Sequence, residues 1–170
     1  MFVLLCILLL VGSASSQWKD DDYSFSLPVG NPHGHTYVIQ RPGRITGVRV
    51  WALYNSRITG IQLRNGYSWS HIAGYTTGPV QEMLLYENEA IVQLSGKYSY
   101  RIDSLIFTTN MGRSLYAGQP RGNSFNMYPH SKKAELRFIS GRQSGGIFTI
   151  GAHWGVVTDP NANTNNTNTY

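Results

Sequence analysis

Short runs of apolar or alternating residues follow one another along most of the chain. They cover residues 36–40, 45–53, 57–63, 68–73, 80–86, 90–95, 102–108, 114–117, 124–128, 134–140 and 147–154. Turn-forming sequences rich in Gly, Pro and Asn stand between them. Strands of about six residues with turn signals every 8 to 12 residues or so are typical of an all-β sandwich, barrel or prism. No segment keeps a helical period over about eleven residues, so we predict an all-β fold.

One predicted strand shows how its two faces differ. Alternation along residues 45–51 predicts that Ile45 and Arg49 face one side, while Val48 and Val50 face the other. Because Arg49 is charged, its side of the sheet is expected to meet solvent. The other side is expected to face the core.

Two local patterns connect neighbouring strands. Asn65 and Gly66 predict a two-residue hairpin, because a type I′ turn needs positive φ at both central positions. The similar sequences 45–48 and 58–61 lie 13 residues apart. This spacing is consistent with successive strands of one sheet.

The N-terminal residues have the pattern of a secretory signal peptide. Residues 2–11 are apolar and residues 12–16 are small, which predicts cleavage after Ser16. The apolar run is shorter than the roughly 20 residues of a membrane span, so we expect a secreted protein without a transmembrane segment. The sole cysteine, Cys6, lies within this peptide, and the mature chain is expected to have no disulfide and no cysteine metal ligand.

The composition divides the chain into four predicted segments. Residues 1–16 are the signal peptide, and residues 17–35 form a polar N-terminal segment. Residues 36–156 form one domain. Residues 157–170 are an Asn/Thr-rich tail that cannot bury a core and is expected to be disordered. The tail contains a glycosylation sequon at Asn165.

The predicted domain carries an excess of positive charge. Residues 23–158 contain 13 basic and 5 acidic residues, a net charge of +8. Such a charge favours anionic partners such as sulfated glycans, acidic proteins or membranes. The same charge is also compatible with a role in solubility alone.

The residues needed for catalysis are poorly represented. The acidic residues of the domain are Glu82, Glu87, Glu89, Asp103 and Glu135. Glu87 and Glu89 flank a predicted turn and make a poor glycosidase pair. The one close histidine pair, His33 and His35, falls short of the three or four ligands of a zinc site. We therefore predict a protein that is not an enzyme and has no cofactor or metal.

Aromatic residues offer a different kind of chemistry. Tyr75, Tyr98 and Tyr100 are predicted in or beside loops, where tyrosine can stack on a sugar, although tyrosine is also a common strand residue. Interleaved arginine and tyrosine can also bind single-stranded nucleic acid. The predicted signal peptide argues against that reading, so no nucleic-acid partner is expected.

Over residues 36–155 the sequence resembles the animal branch of the jacalin-related lectins. The matching stretches are 45–50, 58–64, 69–70, 92–98, 105–109, 112–113, 124–126, 136–142 and 150–154. The resemblance implies a β-prism of three four-stranded Greek-key sheets that binds carbohydrate. Its expected partners are glycans or glycoproteins, and the oligomeric state is not indicated.

The resemblance also implies where a sugar would bind. In the family, an N-terminal glycine loop, a recognition loop and a binding loop of pattern Gly-x-x-x-Asp meet at one end of the prism. The corresponding residues here are Gly30 and Gly34, then Lys97, Tyr98 and Ser99, and finally Ser144, Gly145, Gly146, Ile147 and Phe148. Ser144 stands at the family's glycine and Phe148 at its aspartate.

This replacement changes the expected ligand. Phe148 cannot accept a hydrogen bond, and each buried sugar hydroxyl left unpaired costs about 1–3 kcal/mol. One hypothesis is a secreted lectin that favours anionic or sulfated glycans, including proteoglycans, through Lys97, Arg101 and Arg142, with Phe148 and Tyr98 as a stacking platform. The alternative is a degenerate lectin with a structural or packaging role in secretory granules or the extracellular matrix.

Overall fold

The computed structural model describes residues 23–157, which form thirteen β-strands. These are β1 Tyr23–Gly30, β2 His35–Ile39, β3 Ile45–Ala52, β4 Ile58–Asn65, β5 Ser68–Trp69, β6 Ala73–Gly74, β7 Val80–Leu84, β8 Ile91–Tyr98, β9 Ile102–Thr109, β10 Ser114–Gly118, β11 Asn123–Met127, β12 Ala134–Gln143 and β13 Ile147–Val156. Within this range no helix is long and apolar enough to cross a membrane. The predicted signal peptide, residues 17–22 of the predicted polar segment, the predicted tail except Val157 and the sequon at Asn165 lie outside the described residues.

The strands form three antiparallel sheets. The first sheet has the order β1-β13-β12-β2, the second β10-β9-β8-β11 and the third β5-β4-β3-β7, with β6 also paired to β4. In the second and third sheets, three strands joined by hairpins are completed by a fourth that returns beside the first, which is a Greek key. The predicted all-β prism of three Greek-key sheets is confirmed, and β6 adds a fifth strand to the third sheet.

Each sheet buries its inner face against the other two. Val48 of the third sheet, Leu94 and Phe107 of the second, and Ile139 and Trp154 of the first are all fully buried. Burying side chains of this size contributes roughly 1.5–3 kcal/mol each. The core therefore runs along the axis of the prism and holds the three sheets at fixed positions.

Two local predictions need correction. A bulge between Ile45 and Gly47 interrupts the alternation of β3, so Ile45 joins Val48 in the core instead of facing solvent beside Arg49. The predicted hairpin exists, but its turn is shifted by one residue. Asn65 pairs with Ser68 as part of the ladder.

Strand β1 lies in the segment for which the sequence predicted no strand. It pairs with β13 from Tyr23 opposite Gly155 to Gly30 opposite Thr149. Its apolar side chains remain largely at the surface, with Phe25 61% and Leu27 73% exposed. Backbone hydrogen bonds to β13, more than burial of its side chains, hold β1 in position. Its hydrophobic pattern in the sequence is therefore weak.

Candidate functional site

Three hairpins meet at one end of the prism, and the second strand of each begins with an isoleucine. Ile58, Ile102 and Ile147 are all fully buried. Each isoleucine pairs with the last residue of the preceding strand, and a bulge in the strand pairing lies directly beside that pair. This shared register brings the turns 53–57, 99–101 and 144–146 together, and the side chain of Arg101 on one turn donates a hydrogen bond to the carbonyl oxygen of Gly145 on the next.

A loop of pattern Gly-x-x-x-Gly lies against each hairpin. The three loops are 30–34, 74–78 and 118–122, and all six glycines have positive φ. A Cβ on any of these glycines would collide with a backbone carbonyl oxygen of the hairpin, so only glycine fits these positions. We call the three turns and the three glycine loops together the loop end.

Two of the three loops predicted to bind sugar lie together in the first sheet, whereas the recognition loop with Lys97, Tyr98 and Ser99 ends β8 of the second sheet. The loop from Gly30 to Gly34 lies against the turn that carries Ser144, Gly145 and Gly146. The Ser144 amide donates to the Gly146 carbonyl oxygen at 3.0 Å, while Gly145 is exposed. Exposed backbone groups are therefore available beside the position of Phe148.

Phe148, which the resemblance aligns with the family's aspartate, is buried beside the first-sheet loops. Its side chain is only 1% exposed. The ring centroid of His33 lies 4.8 Å from that of Phe148, the ring of Tyr100 meets it edge-on at 5.5 Å, and Arg101 Cζ is 4.5 Å from its centroid. The prediction that Phe148 offers an open stacking platform is wrong, because these three side chains cover it.

The tyrosines of the recognition loop have different surroundings. Tyr98 is half-buried and packs against the core, with its ring centroid 6.3 Å from that of Phe125. Tyr100 is 58% exposed. The accessible ring beside Phe148 therefore belongs to Tyr100 and not to Tyr98. Tyr75 is also exposed, on the glycine loop of the third sheet.

The three predicted cationic residues do not form one cluster. Arg101 donates to the Gly145 carbonyl oxygen at 3.0 Å, and Arg142 donates to the Gly34 carbonyl oxygen at 2.9 Å. Lys97 instead lies on β8 of the second sheet and forms no ion pair within residues 23–157. Arg101 and Arg142 thus flank the first-sheet loops, and Lys97 lies on the neighbouring sheet.

Two further arginines that the sequence analysis missed add to this charge. Arg57 directly precedes Ile58, as Arg101 precedes Ile102, and Arg121 lies on the glycine loop of the second sheet. Burial, followed by the nearby charge of Arg57, lowers the pKa of Arg101 below its usual range. Arg57 and Arg101 each stand directly before the isoleucine that begins a strand. This shared position is the sequence signal that could have identified Arg57 as a site residue.

Most acidic side chains of the described residues lie elsewhere or are neutralised. Glu82, Glu89 and Glu135 form ion pairs with arginines, and Glu87 lies in the exposed loop before β8. Asp103, which follows Ile102, is the one carboxylate that the described chain places at the loop end. The loop end is therefore strongly positive. No group of three or more His, Cys, Asp or Glu side chains in this part of the protein could hold a metal ion.

Comparisons with known proteins give one consistent family. The family model described as the jacalin-like lectin domain matches residues 26–153. Zymogen granule membrane protein 16 from Mus musculus is 35% identical over 155 residues, covering 89% of this chain and 92% of the relative. The Homo sapiens protein of the same name is 41% identical over 117 residues, covering 69% of this chain and 70% of the relative.

A solved structure agrees with these sequence matches. The crystal structure of a prostate-specific WGA16 glycoprotein lectin superposes with a TM-score of 0.70 at 30% identity. The match covers 79% of this chain and all of the other chain.

Proposed function

Because the chain belongs to the jacalin-like lectin family, we propose that it is a secreted carbohydrate-binding protein that favours anionic glycans, such as the sulfated chains of proteoglycans. Family membership supports carbohydrate binding and gives no reason to expect catalysis. One observation supports the anionic preference. Arg101 and Arg142 flank the first-sheet loops, where the buried ring of Phe148 offers no acceptor to a sugar hydroxyl.

The chemistry of the first-sheet loop favours a sulfate or carboxylate over a neutral sugar. Phe148 cannot accept from a hydroxyl, whereas the guanidinium groups of Arg101 and Arg142 lie beside the exposed backbone of Gly145 and the half-buried backbone of Gly34. Hydrogen bonds from such cations to an anionic group are about twice as strong as those between neutral groups. Lys97 would extend the positive surface onto the second sheet.

The cellular location belongs to the same proposal. The predicted signal peptide at residues 1–16 supports secretion, and the named relatives are granule proteins, which supports an association with secretory granules. The sequon at Asn165 is a proposed glycosylation site. Glycans or glycoproteins are the proposed partners, and nucleic acid is not.

Chromatography on heparin against a salt gradient tests the anionic preference. We expect the protein to bind and to elute above physiological ionic strength. The variant Lys97→Ala/Arg142→Ala should elute at clearly lower salt, because each lost contact with a sulfate group reduces the electrostatic attraction.

A variant with the same loss of charge provides the control. Lys132 and Lys133 precede β12, whose first residue pairs with Val156 at the end of the prism opposite the loops. Lys132→Ala/Lys133→Ala should shift elution much less than the loop-end variant does. Equal shifts for the two variants, or elution at or below physiological salt for the parent protein, would contradict a specific anionic site.

The burial of Phe148 also favours a second candidate function. A sugar loop sealed by His33, Tyr100 and Arg101 fits a degenerate lectin that packs or organises material in secretory granules or the extracellular matrix. A glycan array with residues 17–170 separates the two functions. Broad silence on neutral and sulfated glycans supports the packaging role, while binding confined to sulfated glycans supports the anionic lectin.

A further inference from the structure

Three aspartates directly precede the first strand of the prism. Asp20, Asp21 and Asp22 stand immediately before Tyr23, and Lys19 is the one basic residue close to them. Basic residues outnumber acidic ones in the rest of the chain, so this stretch has the opposite sign. The charge of its neighbours therefore distinguishes Tyr23 from the other tyrosines.

Tyr23 is accessible in the folded protein. It begins β1, an edge strand of the first sheet that lies next to β13. Tyr23 is 46% exposed, and the residue opposite it is Gly155, which has no side chain to cover the ring. An edge strand is paired on one side only, and strand ends open more readily than the core of a sheet. An enzyme can therefore reach the Tyr23 hydroxyl without unfolding the domain.

The Tyr23 hydroxyl has a neighbour that suits a negatively charged group. Its oxygen lies 2.6 Å from Nδ1 of His153, whose other ring nitrogen lies 2.8 Å from the Ser140 hydroxyl. An imidazole can donate a hydrogen bond from Nδ1, and such a bond is stronger to an anionic oxygen than to a neutral one. An anionic group on the Tyr23 oxygen would therefore have a donor beside it.

One other exposed tyrosine of the described chain has two carboxylates within three residues. Tyr86 is followed by Glu87 and Glu89. Glu89 is buried and forms an ion pair with Arg113 at 2.6 Å, and Arg113 Cζ lies 4.2 Å from the centroid of the Tyr86 ring. The charge around Tyr86 is thus largely neutralised, whereas the three aspartates directly before Tyr23 face one lysine in sequence.

From these observations we infer that Tyr23 is a sulfation site, modified in the secretory pathway by an enzyme whose donor is a phosphosulfate nucleotide. The phenolic oxygen forms a bond to sulfur, and the bond from sulfur to the phosphate oxygen breaks with its electron pair left on the phosphate. The phenolic proton passes to a base of the enzyme. Because the enzyme must hold an anionic donor, its active site is basic, and it attracts a tyrosine that follows carboxylates.

Sulfation would change the charge at the start of the mature chain. A tyrosine sulfate is ionised at physiological pH, so it adds a fourth negative charge to those of Asp20, Asp21 and Asp22. A segment with this charge favours a partner with a basic surface. The loop end, which is rich in arginine, favours the opposite kind of partner.

Mass spectrometry of the full chain, secreted by cultured animal cells, tests the site. After enzymatic removal of any glycan at Asn165, we expect the peptide that contains Tyr23 to be heavier by one SO₃ group. Radioactive sulfate should label the deglycosylated protein, and chlorate, which blocks synthesis of the donor, should prevent this labelling. Alkaline phosphatase should leave the mass unchanged. Loss of the added mass with phosphatase would identify a phosphate and overturn the inference.

Three variants locate the modification. Tyr23→Phe should lose all of the label, and the matched control Tyr86→Phe should keep it. The variant Asp20→Asn/Asp21→Asn/Asp22→Asn keeps the tyrosine but removes the charges that attract the enzyme. It should still be secreted and should lose most of the label.

The inference rests on the proposed secretion, and the two can fail separately. A secreted protein without the SO₃ group, or equal labelling of Tyr23→Phe and the parent, refutes the sulfation site alone. Full labelling of the triple aspartate variant would remove the electrostatic basis of the inference. A protein that stays in the cells with residues 1–16 still attached contradicts the proposed secretion, and the sulfation site with it.

Discussion

Phe148 fills the space between the glycine loop and the turn of the first sheet with an apolar ring. The ring is covered by His33, Tyr100 and Arg101. The glycines around it keep the conformations that the loop requires. A phenylalanine at this position can accept no hydrogen bond from a ligand, while the hairpin itself stays in place.

If Phe148 replaces a sugar-binding aspartate, as proposed, a carboxylate at this position should give binding of a neutral sugar. The variant Phe148→Asp/Ser144→Gly is expected to give saturable binding of methyl α-D-mannopyranoside in calorimetry. It should also lose about 3 kcal/mol or more of unfolding free energy in urea, because a buried ring is removed.

Phe148→Leu is the matched control for this experiment. It keeps an apolar side chain in the space but provides no acceptor, so it should not bind the sugar. Sugar binding by Phe148→Leu would show that opening the space, and not the carboxylate, limits binding.

Some features of the site follow from residue identity and others do not. Ser144, Phe148 and the glycines are recognisable from the resemblance of their motifs, and the structure brings these residues together. The burial of Phe148 was not predictable, because His33 and Tyr100, which cover it, come from loops more than 40 residues away in sequence. Covering of this kind depends on how the sheets meet.

At the scale of elements, the glycine loops are constrained by their contact with the hairpins. Gly34 and Gly43 have nearly the same φ, 89° and 87°, but differ in their surroundings. A Cβ at Gly34 would collide with the carbonyl oxygen of Gln143, whereas a Cβ at Gly43 would meet no atom within 4 Å. Comparing Gly34 with Gly43 therefore separates the energetic cost of a positive φ from the cost of a steric collision.

Urea unfolding of the two alanine variants measures this difference. Gly43→Ala should cost about 1–2 kcal/mol, the cost of a left-handed conformation. Gly34→Ala should cost a further 1–3 kcal/mol or so, because the loop must move away from the hairpin. Equal losses would mean that the loop is not held against β12.

Strand prediction succeeded where burial is strong. The runs that became β4, β8, β9 and β13 are apolar on their inner faces and were predicted within a few residues. The run 68–73 instead contains two short strands, β5 and β6, that each pair with β4. The sequence could not separate them, because pairing partners, and not a hydrophobic period, define strands of two residues.

At the scale of the whole molecule, the half-buried His153 and the buried Glu89 link stability to pH. His153 lies between the Tyr23 hydroxyl and the Ser140 hydroxyl, with its nitrogens 2.6 and 2.8 Å from them, and burial lowers its pKa. Burial alone would raise the pKa of Glu89, but hydrogen bonds from the Tyr86 amide and Thr109, with the charge and hydrogen bond of Arg113, lower it.

Both groups should make the protein less stable as the pH falls. The folded state resists protonation of each group more than the unfolded chain does, so their contributions are complete above the unfolded pKa values. The unfolding free energy should therefore decline first below about pH 6.5, through His153, and again below about pH 4.3, through Glu89.

Urea unfolding between pH 8 and pH 3 can assign the two steps. His153→Gln should remove the upper decline, and Glu89→Gln should flatten the lower one while reducing stability at neutral pH. If the curve of His153→Gln still falls between pH 6.5 and pH 5 as steeply as that of the parent, another group is responsible.

The pairing of β1 with β13 has a practical consequence for how the protein is presented to a ligand. Tyr23 lies opposite Gly155, and the pairing runs from there toward the loop end at Gly30. Both ends of the described chain therefore leave the prism at the pole opposite the loops. A tether attached through either terminus, on a chip, a resin or a membrane, points the loop end into solution.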